Sequence, residues 1–234
     1  MREYLYFNKK SSADFALYIT DAGVYATPRR SFEKVSVPGR NGDLLIENNK
    51  YENVDMIYPA VIVDNFDTNY MAFVDYMLSQ KGYQRLEDSF HPDEFYLATF
   101  KNIDSHKHAL YNQGGTFKVV FERKPQRFLK NGDNPIEFNE DGAVVNFTNF
   151  DARPLIRVYG TGTFGVGEDT ITITQADEYT DIDCDLMDAY KGQINCNSNI
   201  ILNSGKFPTL PSGESGISLD GVSKVIIYPR WYTL

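Results

Sequence analysis

The chain has 234 residues, enough for one large or two modest domains with a real core. Apolar residues make up 42% and charged residues 24%, an ordinary globular composition, and no run approaches the ~18 apolar residues that a membrane helix needs. The net charge of −9 is local: residues 1–130 hold 17 basic and 17 acidic side chains, whereas residues 131–234 hold 6 and 15. A surface of that sign repels phosphate, so the second half is a poor nucleic-acid binder, and the balanced first half has no excess to grip DNA tightly.

Aromatic content is high at 14%, with 16 Tyr and 16 Phe against one Trp, a bias toward pleated, half-buried surfaces. The N-terminal segment has no apolar h-region and no cleavage site, so no export signal is expected. Cys184 and Cys196 are then read as free thiols of a reducing compartment rather than as a bridge. Asn146-Phe-Thr148 matches a glycosylation acceptor that has no meaning without export.

The first block opens with predicted strands at Glu3–Phe7 and Phe15–Ile19. Ser31–Val37 alternates, and Pro38-Gly-Arg-Asn-Gly42 supplies dense turn chemistry before a strand at Asp43–Glu47. Val54–Val63 is apolar on both faces and is expected to be a central strand. After Asp67, an N-cap residue type, Tyr70, Phe73, Val74, Met77 and Leu78 share one helical face. Lys81 and Gly82 supply a C-terminal cation and a left-handed cap. Strands follow at Gly82–Leu86, Phe95–Asn102 and Gly115–Phe121, with a loop at Asn102–Gln113. In the last strand Phe117, Val119 and Phe121 face a core, while Lys118, Val120 and Glu122 face away, and Lys124-Pro125 ends it. A sheet covered by one helix is an α+β plan.

The second block begins at the turn-rich Asn131-Gly-Asp-Asn-Pro135. Its short strands are predicted at Ile136–Asn139, Ala143–Asn146, Pro154–Tyr159, Gly162–Val166, Thr170–Thr174, Tyr179–Leu186, Lys191–Asn195, Asn199–Leu202, Gly216–Leu219 and Ser223–Tyr228. Asp141-Gly and Asp220-Gly are hairpin signals, and the whole reads as an all-β sandwich. The fold class is therefore mainly β, with an α+β domain over 1–130 and an all-β domain over 131–234.

No constellation carries catalysis. Gly160-x-Gly162-x-x-Gly165, with Asp185 beyond it, matches a dinucleotide fingerprint, but the next segment is the β-branched Thr170–Thr174 strand instead of a helix. Asp181, Asp183 and Asp185 begin like a calcium loop, yet Leu186 and Gly192 stand where Gly and Glu are required. Period 2 instead turns Ile182, Cys184 and Leu186 inward and Asp183 and Asp185 to water. His106 and His108 lie two apart with Asp104 beside them, but a metal site needs three or four such ligands. His91 is the only other histidine and neither cysteine is near in sequence, so they are read as surface histidines of the Asn102–Gln113 loop. No cofactor and no enzymatic activity are expected. Arg29-Arg30 precedes the Ser31–Val37 strand and Arg40 sits in the glycine-rich turn; such a cluster could grip phosphate, but the balanced charge nearby favours ion pairs within or between subunits. Trp231 and Tyr232 are the aromatic candidates for a sugar platform, and a closing core strand explains them at least as well.

Several motifs, in order, resemble one family. Phe117-x-Val119-x-Phe121-x-x-Lys124-Pro-Gln-x-Phe128 resembles the end of the N-terminal domain of distal tail proteins of long-tailed phages and prophages of Gram-positive bacteria. Arg30–Asp43, Gly82–Asp93, Pro154–Gly162, Ile182–Tyr190 and Ile227–Leu234 resemble further segments of that family. The resemblance implies a hexameric ring built by the N-terminal domain and a galectin-like or carbohydrate-module-like sandwich outside it. It implies a tail tube protein, a tail-associated hub protein and receptor-binding or baseplate proteins as partners, with DNA passing through without stable binding. A location in the virion, after assembly in the host cytoplasm, follows from the same resemblance. The competing readings are a carbohydrate-binding module aiding attachment to the host wall and a wall hydrolase drawing on the acidic half.

Overall fold

The computed structural model describes residues 3–23, 26–109 and 113–234, and of residues 105–109 the backbone. The chain divides into two compact units, residues 1–127 with Leu234, and Phe128–Thr233.

The first unit is a curled antiparallel sheet ordered Lys10–Ser11, Leu5–Phe7, Gln84–Asp88, Glu94–Ala109, Gly114–Arg123, Val54–Ile62, Leu17–Ile19. The sheet closes on itself: Ile19 N–H donates to the Glu3 carbonyl at 2.9 Å, and Glu3 and Ile19 form an antiparallel bridge. Ser12 stitches this closure. Its buried hydroxyl accepts from Leu5 N–H at 3.0 Å and donates to the Leu17 carbonyl at 2.9 Å. The interior holds Phe7, Leu17, Met56, Tyr58, Ile62, Leu86, Tyr96, Phe117 and Phe121. As period 2 requires, Phe117, Val119 and Phe121 point inward. Val120 departs from expectation, being only 7% exposed on the opposite face.

The one α-helix among the described residues, Phe66–Ser79, packs Phe66, Phe73 and Met77 into that interior. Phe73 meets Phe15 edge-on at 5.6 Å, and Tyr76 donates to the Phe7 carbonyl at 2.7 Å. The buried stripe is rotated from the predicted one. Leu78 is 68% exposed, and Tyr76 takes its place, because Phe66 starts the helix one residue before Asp67 and adds an anchor at its far end. Asn65, in the left-handed region, is the N-cap, and the C-cap Gln80 is extended, so Gly82 turns the chain beyond the helix instead of capping it.

Two further corrections concern this unit. The strand Glu94–Ala109 runs through the segment expected as a loop, with β-bulges between Phe100 and Asn102 and between Asp104 and Lys107. The predicted strand at Asp43–Glu47 is the start of Leu44–Tyr51, which pairs with Arg30–Val35 as a separate two-stranded ribbon.

The second unit is a sandwich. One sheet is ordered Ile136–Phe138, Lys224–Tyr228, Leu155–Tyr159, Tyr179–Asp183, Asp188–Lys191, Ile194–Asn195. The other is ordered Gly142–Asn146, Gly213–Asp220, Gly162–Val166, Asp169–Ile173, Ile200–Leu202. Ile156, Val158, Phe164, Ile171, Ile173, Ile182, Val225 and Ile227 fill the space between them. The predicted long strand Tyr179–Leu186 ends at Asp183, and a four-residue turn leads into Asp188–Lys191, an element that periodicity missed. Asp141-Gly and Asp220-Gly do not close hairpins. Each carries the chain from one sheet to the other, since their flanking strands pair elsewhere. The Asp141 carboxylate accepts from Leu219 N–H at 2.8 Å, which locks that corner.

Candidate functional site

The most distinctive surface of the first unit is the ribbon Arg30–Val35 and Leu44–Tyr51. Phe32 pairs with Glu47, Glu33 with Ile46, Lys34 with Leu45 and Val35 with Leu44, so apolar and charged side chains are mixed on both faces. Phe32 is 44% exposed, Leu44 43%, Leu45 55% and Ile46 45%, a concentration of solvated apolar side chains that an isolated two-stranded ribbon has no core to hide. Pro38-Gly39 forms the turn, with Gly39 at φ 82° and Arg40 N–H bonded to the Val37 carbonyl, a geometry that needs glycine at its third position.

The three arginines are placed on or beside this ribbon. Arg30 lies 3.7 Å from Glu47, with both side chains more than 60% exposed, and its guanidinium sits 5.4 Å from the Tyr51 ring centre. Arg29 is exposed and its carbonyl accepts from Glu52 N–H. Arg40 is exposed at the turn. A shallow depression lined by Arg30, Ser31, Glu47, Asn49, Lys50 and Tyr51 lies along the ribbon.

Arg123, at the end of the strand that marks the seam between the blocks, is 2% exposed. Its guanidinium donates to the Lys124 and Pro125 carbonyls at 3.1 and 2.9 Å and lies over the Tyr96 ring. The end of that strand is thus held within the first unit by a buried cation on backbone carbonyls, which the sequence signal at Pro125 did not disclose.

In the second unit the acidic motif is largely buried. Asp181 is 5% exposed and receives a bidentate fork from Arg157 at 2.7 and 2.9 Å. Asp183 is 2% exposed and receives a second fork from Arg230, both bonds at 2.8 Å. Burial raises the Asp183 carboxyl, but the Arg230 fork and the N–H groups of Leu186 and Asp185 outweigh it and hold it below the usual carboxylate range. Inward Leu186 and outward Asp183 were both expected, and both are reversed: Leu186 is 67% exposed, because the turn starts one residue after Asp183. Among the described residues no cluster of three or more His, Cys, Asp or Glu is positioned to hold a metal. Asp181 and Asp183 are engaged by arginine instead. His106 and His108 lie on the strand Glu94–Ala109, and their side chains fall outside the described residues.

Trp231 is 3% exposed and meets Phe147 edge-on at 5.8 Å, so its indole is part of the core and presents no stacking face to a sugar. Tyr232 is half-buried and stacks on Phe150 at 5.6 Å and 20°. Gly160 turns the chain at φ 85°, whereas Gly162 and Gly165 serve strand packing: a Cβ on Gly162, at φ 143°, would lie 2.5 Å from the Asp220 carbonyl. Cys184 and Cys196 are both buried and unbridged. The Asn146 amide is buried and donates to the Phe150 and Leu210 carbonyls, so it is a structural turn and not a glycan acceptor.

The architecture has solved counterparts. The SPP1 Dit (gp 19.1) protein, a paradigm of the hub adsorption apparatus in phages infecting Gram-positive bacteria, matches over 100% of both chains with a TM-score of 0.75 at 10% identity. The chain has the distal tail protein fold. A chain of the phage P2 baseplate in its activated conformation with calcium matches over 97% of both chains at 12% identity and a TM-score of 0.58. The same baseplate with strontium gives 11% identity and a TM-score of 0.57, over 97% of this chain and 96% of that one. No protein-family model and no curated protein sequence matches. The distal tail fold thus spans both units, the curled sheet with its helix and the acidic sandwich. Among the described residues no helix is long and apolar enough to cross a membrane.

Proposed function

We propose that the chain is a structural component of a phage tail tip. It forms a hexameric ring at the distal end of the tail tube, joins the tube to the hub protein and to receptor-binding or baseplate proteins, and lets DNA pass. It performs no catalysis, and it acts in the virion after assembly in the host cytoplasm. The observation that carries this reading is the full-length likeness to the SPP1 Dit protein.

The ribbon supports the ring. Its apolar side chains, exposed on both faces, suit burial between adjacent subunits, with Arg29, Arg30 and Arg40 contributing ion pairs across the contact. The balanced charge of residues 1–130 suits a channel through which DNA slides without being held. A carbohydrate-module reading would need a surface platform at Trp231, and that indole is buried.

The test is the mass of the purified chain by light scattering, alone and with its tube and hub partners, followed by electron microscopy. A particle of six times the 26.7 kDa chain with a central hole is expected. A strict monomer under all of these conditions would overturn the reading. The triple variant Phe32→Ser, Leu45→Ser, Ile46→Ser is expected to abolish the ring and to leave the monomer folded.

A further inference from the structure

The turn Cys184–Met187 presents two large apolar side chains to solvent. Leu186 is 67% exposed and Met187 58%, although Asp181 and Asp183 of the neighbouring motif are buried. Neither side chain serves the core, so stability does not explain an apolar residue at either position.

The turn is held in place. Asp183 sits at its base, accepts from the N–H groups of Asp185 and Leu186 at 3.0 and 3.1 Å, and is clamped by Arg230. Cys184 N–H donates to the Pro154 carbonyl at 3.0 Å, and the Cys184 side chain is buried. Met187 and Arg230 both have φ of 56°, a left-handed conformation that is unfavourable for a residue with a Cβ. Such backbone persists where surrounding contacts over-determine it, and it concentrates at sites of function. An ordered tip gives up little freedom on binding, which favours a specific contact.

Charge selects what the tip meets. Asp185 flanks it with a side chain 43% exposed and only loosely paired, 3.9 Å from the equally solvated Arg153. Asp188 closes the turn and, among the described residues, is bonded by the amides of Asn195 and Asn197, so no cation neutralises it. Residues 131–234 carry 15 acidic against 6 basic side chains. Nucleic acid, anionic lipid and a second copy of this acidic unit are all repelled.

We infer that the Leu186–Met187 tip is a docking anchor for a second protein, one that offers an apolar pocket bordered by Lys or Arg. Leu186 and Met187 fill the pocket, and Asp185 and Asp188 meet the basic rim. This surface is separate from the ribbon and does not depend on the ring.

Site-specific photocrosslinking in the cell that makes the chain tests it. The full chain carries p-benzoylphenylalanine at position 186, with the same group at position 32 on the ribbon and at the exposed position 168 as references. The expected result is one dominant adduct from position 186 with a protein other than this chain, cross-linked at a peptide rich in apolar and basic residues, and none from position 168. That protein, once purified, should bind the double variant Leu186→Ser, Met187→Ser at least about tenfold more weakly than wild type. Its binding should also weaken as salt rises from about 0.1 to 1 M. The thermal unfolding of the double variant should match wild type. No adduct from 186, an adduct with a second copy, equal adducts from 186 and 168, or unchanged affinity of the double variant would each overturn the inference. An adduct between copies from position 32 with none from 186 would sink the anchor and leave the ring standing.

Discussion

Replacing Arg230 with Met should destabilise the sandwich unit by about 3 kcal/mol. The substitution keeps the Cβ and an aliphatic stem, so the cost of the left-handed backbone at position 230 is common to both proteins. What is lost is the fork: two charge-assisted bonds of 2.8 Å to a carboxylate whose side chain is 3% exposed. Stranding one partner of a buried pair costs about 3–5 kcal/mol, and the 29% exposure of the Arg230 side chain places this case at the low end. At roughly 4–8 °C per kcal/mol for a domain of this size, the midpoint should fall by about 12–24 °C. Trp231 is the one tryptophan and lies in the sandwich core, so its fluorescence during urea unfolding reads this unit selectively. The pH dependence sharpens the test. The folded Asp183 carboxyl is depressed, so it contributes stability above the unfolded value of about 3.9 and loses it as pH falls through the folded value. In the variant burial persists without the guanidinium and the carboxyl rises, so the acid-side loss shrinks and the gap in stability between wild type and variant narrows as pH falls. A loss under about 1 kcal/mol at pH 7, with wild type and variant showing the same profile between pH 3 and 6, would refute the reasoning.

Ser12→Ala should cost about 2–3 kcal/mol in the first unit, because it leaves Leu5 N–H and the Leu17 carbonyl unmade at a buried seam; hydrogen exchange at Leu5 should accelerate with it. Gly162→Ala should destabilise the sandwich by more than about 2 kcal/mol, since backbone at Asp220, Gly221 and Val222 stands within 2.6 Å of the new Cβ; an unchanged urea midpoint would contradict this. Desolvation pushes the Cys184 thiol up to about 12, so it should resist alkylation by iodoacetamide at pH 8 in the folded protein and react readily once unfolded, as mass spectrometry will show.

Much of the secondary structure was legible because it depends on local pattern. Phe117, Val119 and Phe121 alternate, and they line the barrel interior. Phe73 and Met77 lie at helical spacing and are buried by the helix. The β-branched run after the Gly160–Gly165 fingerprint forms the strand Asp169–Ile173, as its alternation requires. The misreadings have one cause, which is that side-chain period does not report partners. Asp141-Gly and Asp220-Gly have hairpin chemistry, yet their strands find partners in opposite sheets. Trp231 reads equally as a platform or a core residue, and only the cover of the sandwich makes it core.

By itself, the amino-acid sequence determined the mainly β character, the single helix and the change from balanced to acidic charge between the two halves. These follow from composition and short-range periodicity, which act within a few residues. Tertiary structure decided what depends on distant segments meeting: the closure of the sheet through Glu3 and Ile19, and the burial of Asp183 under an arginine 47 residues away. It also decided the exposure of Phe32, Leu45, Leu186 and Met187. An apolar side chain is inside or outside only with respect to what packs on it, and that is set by the fold as a whole.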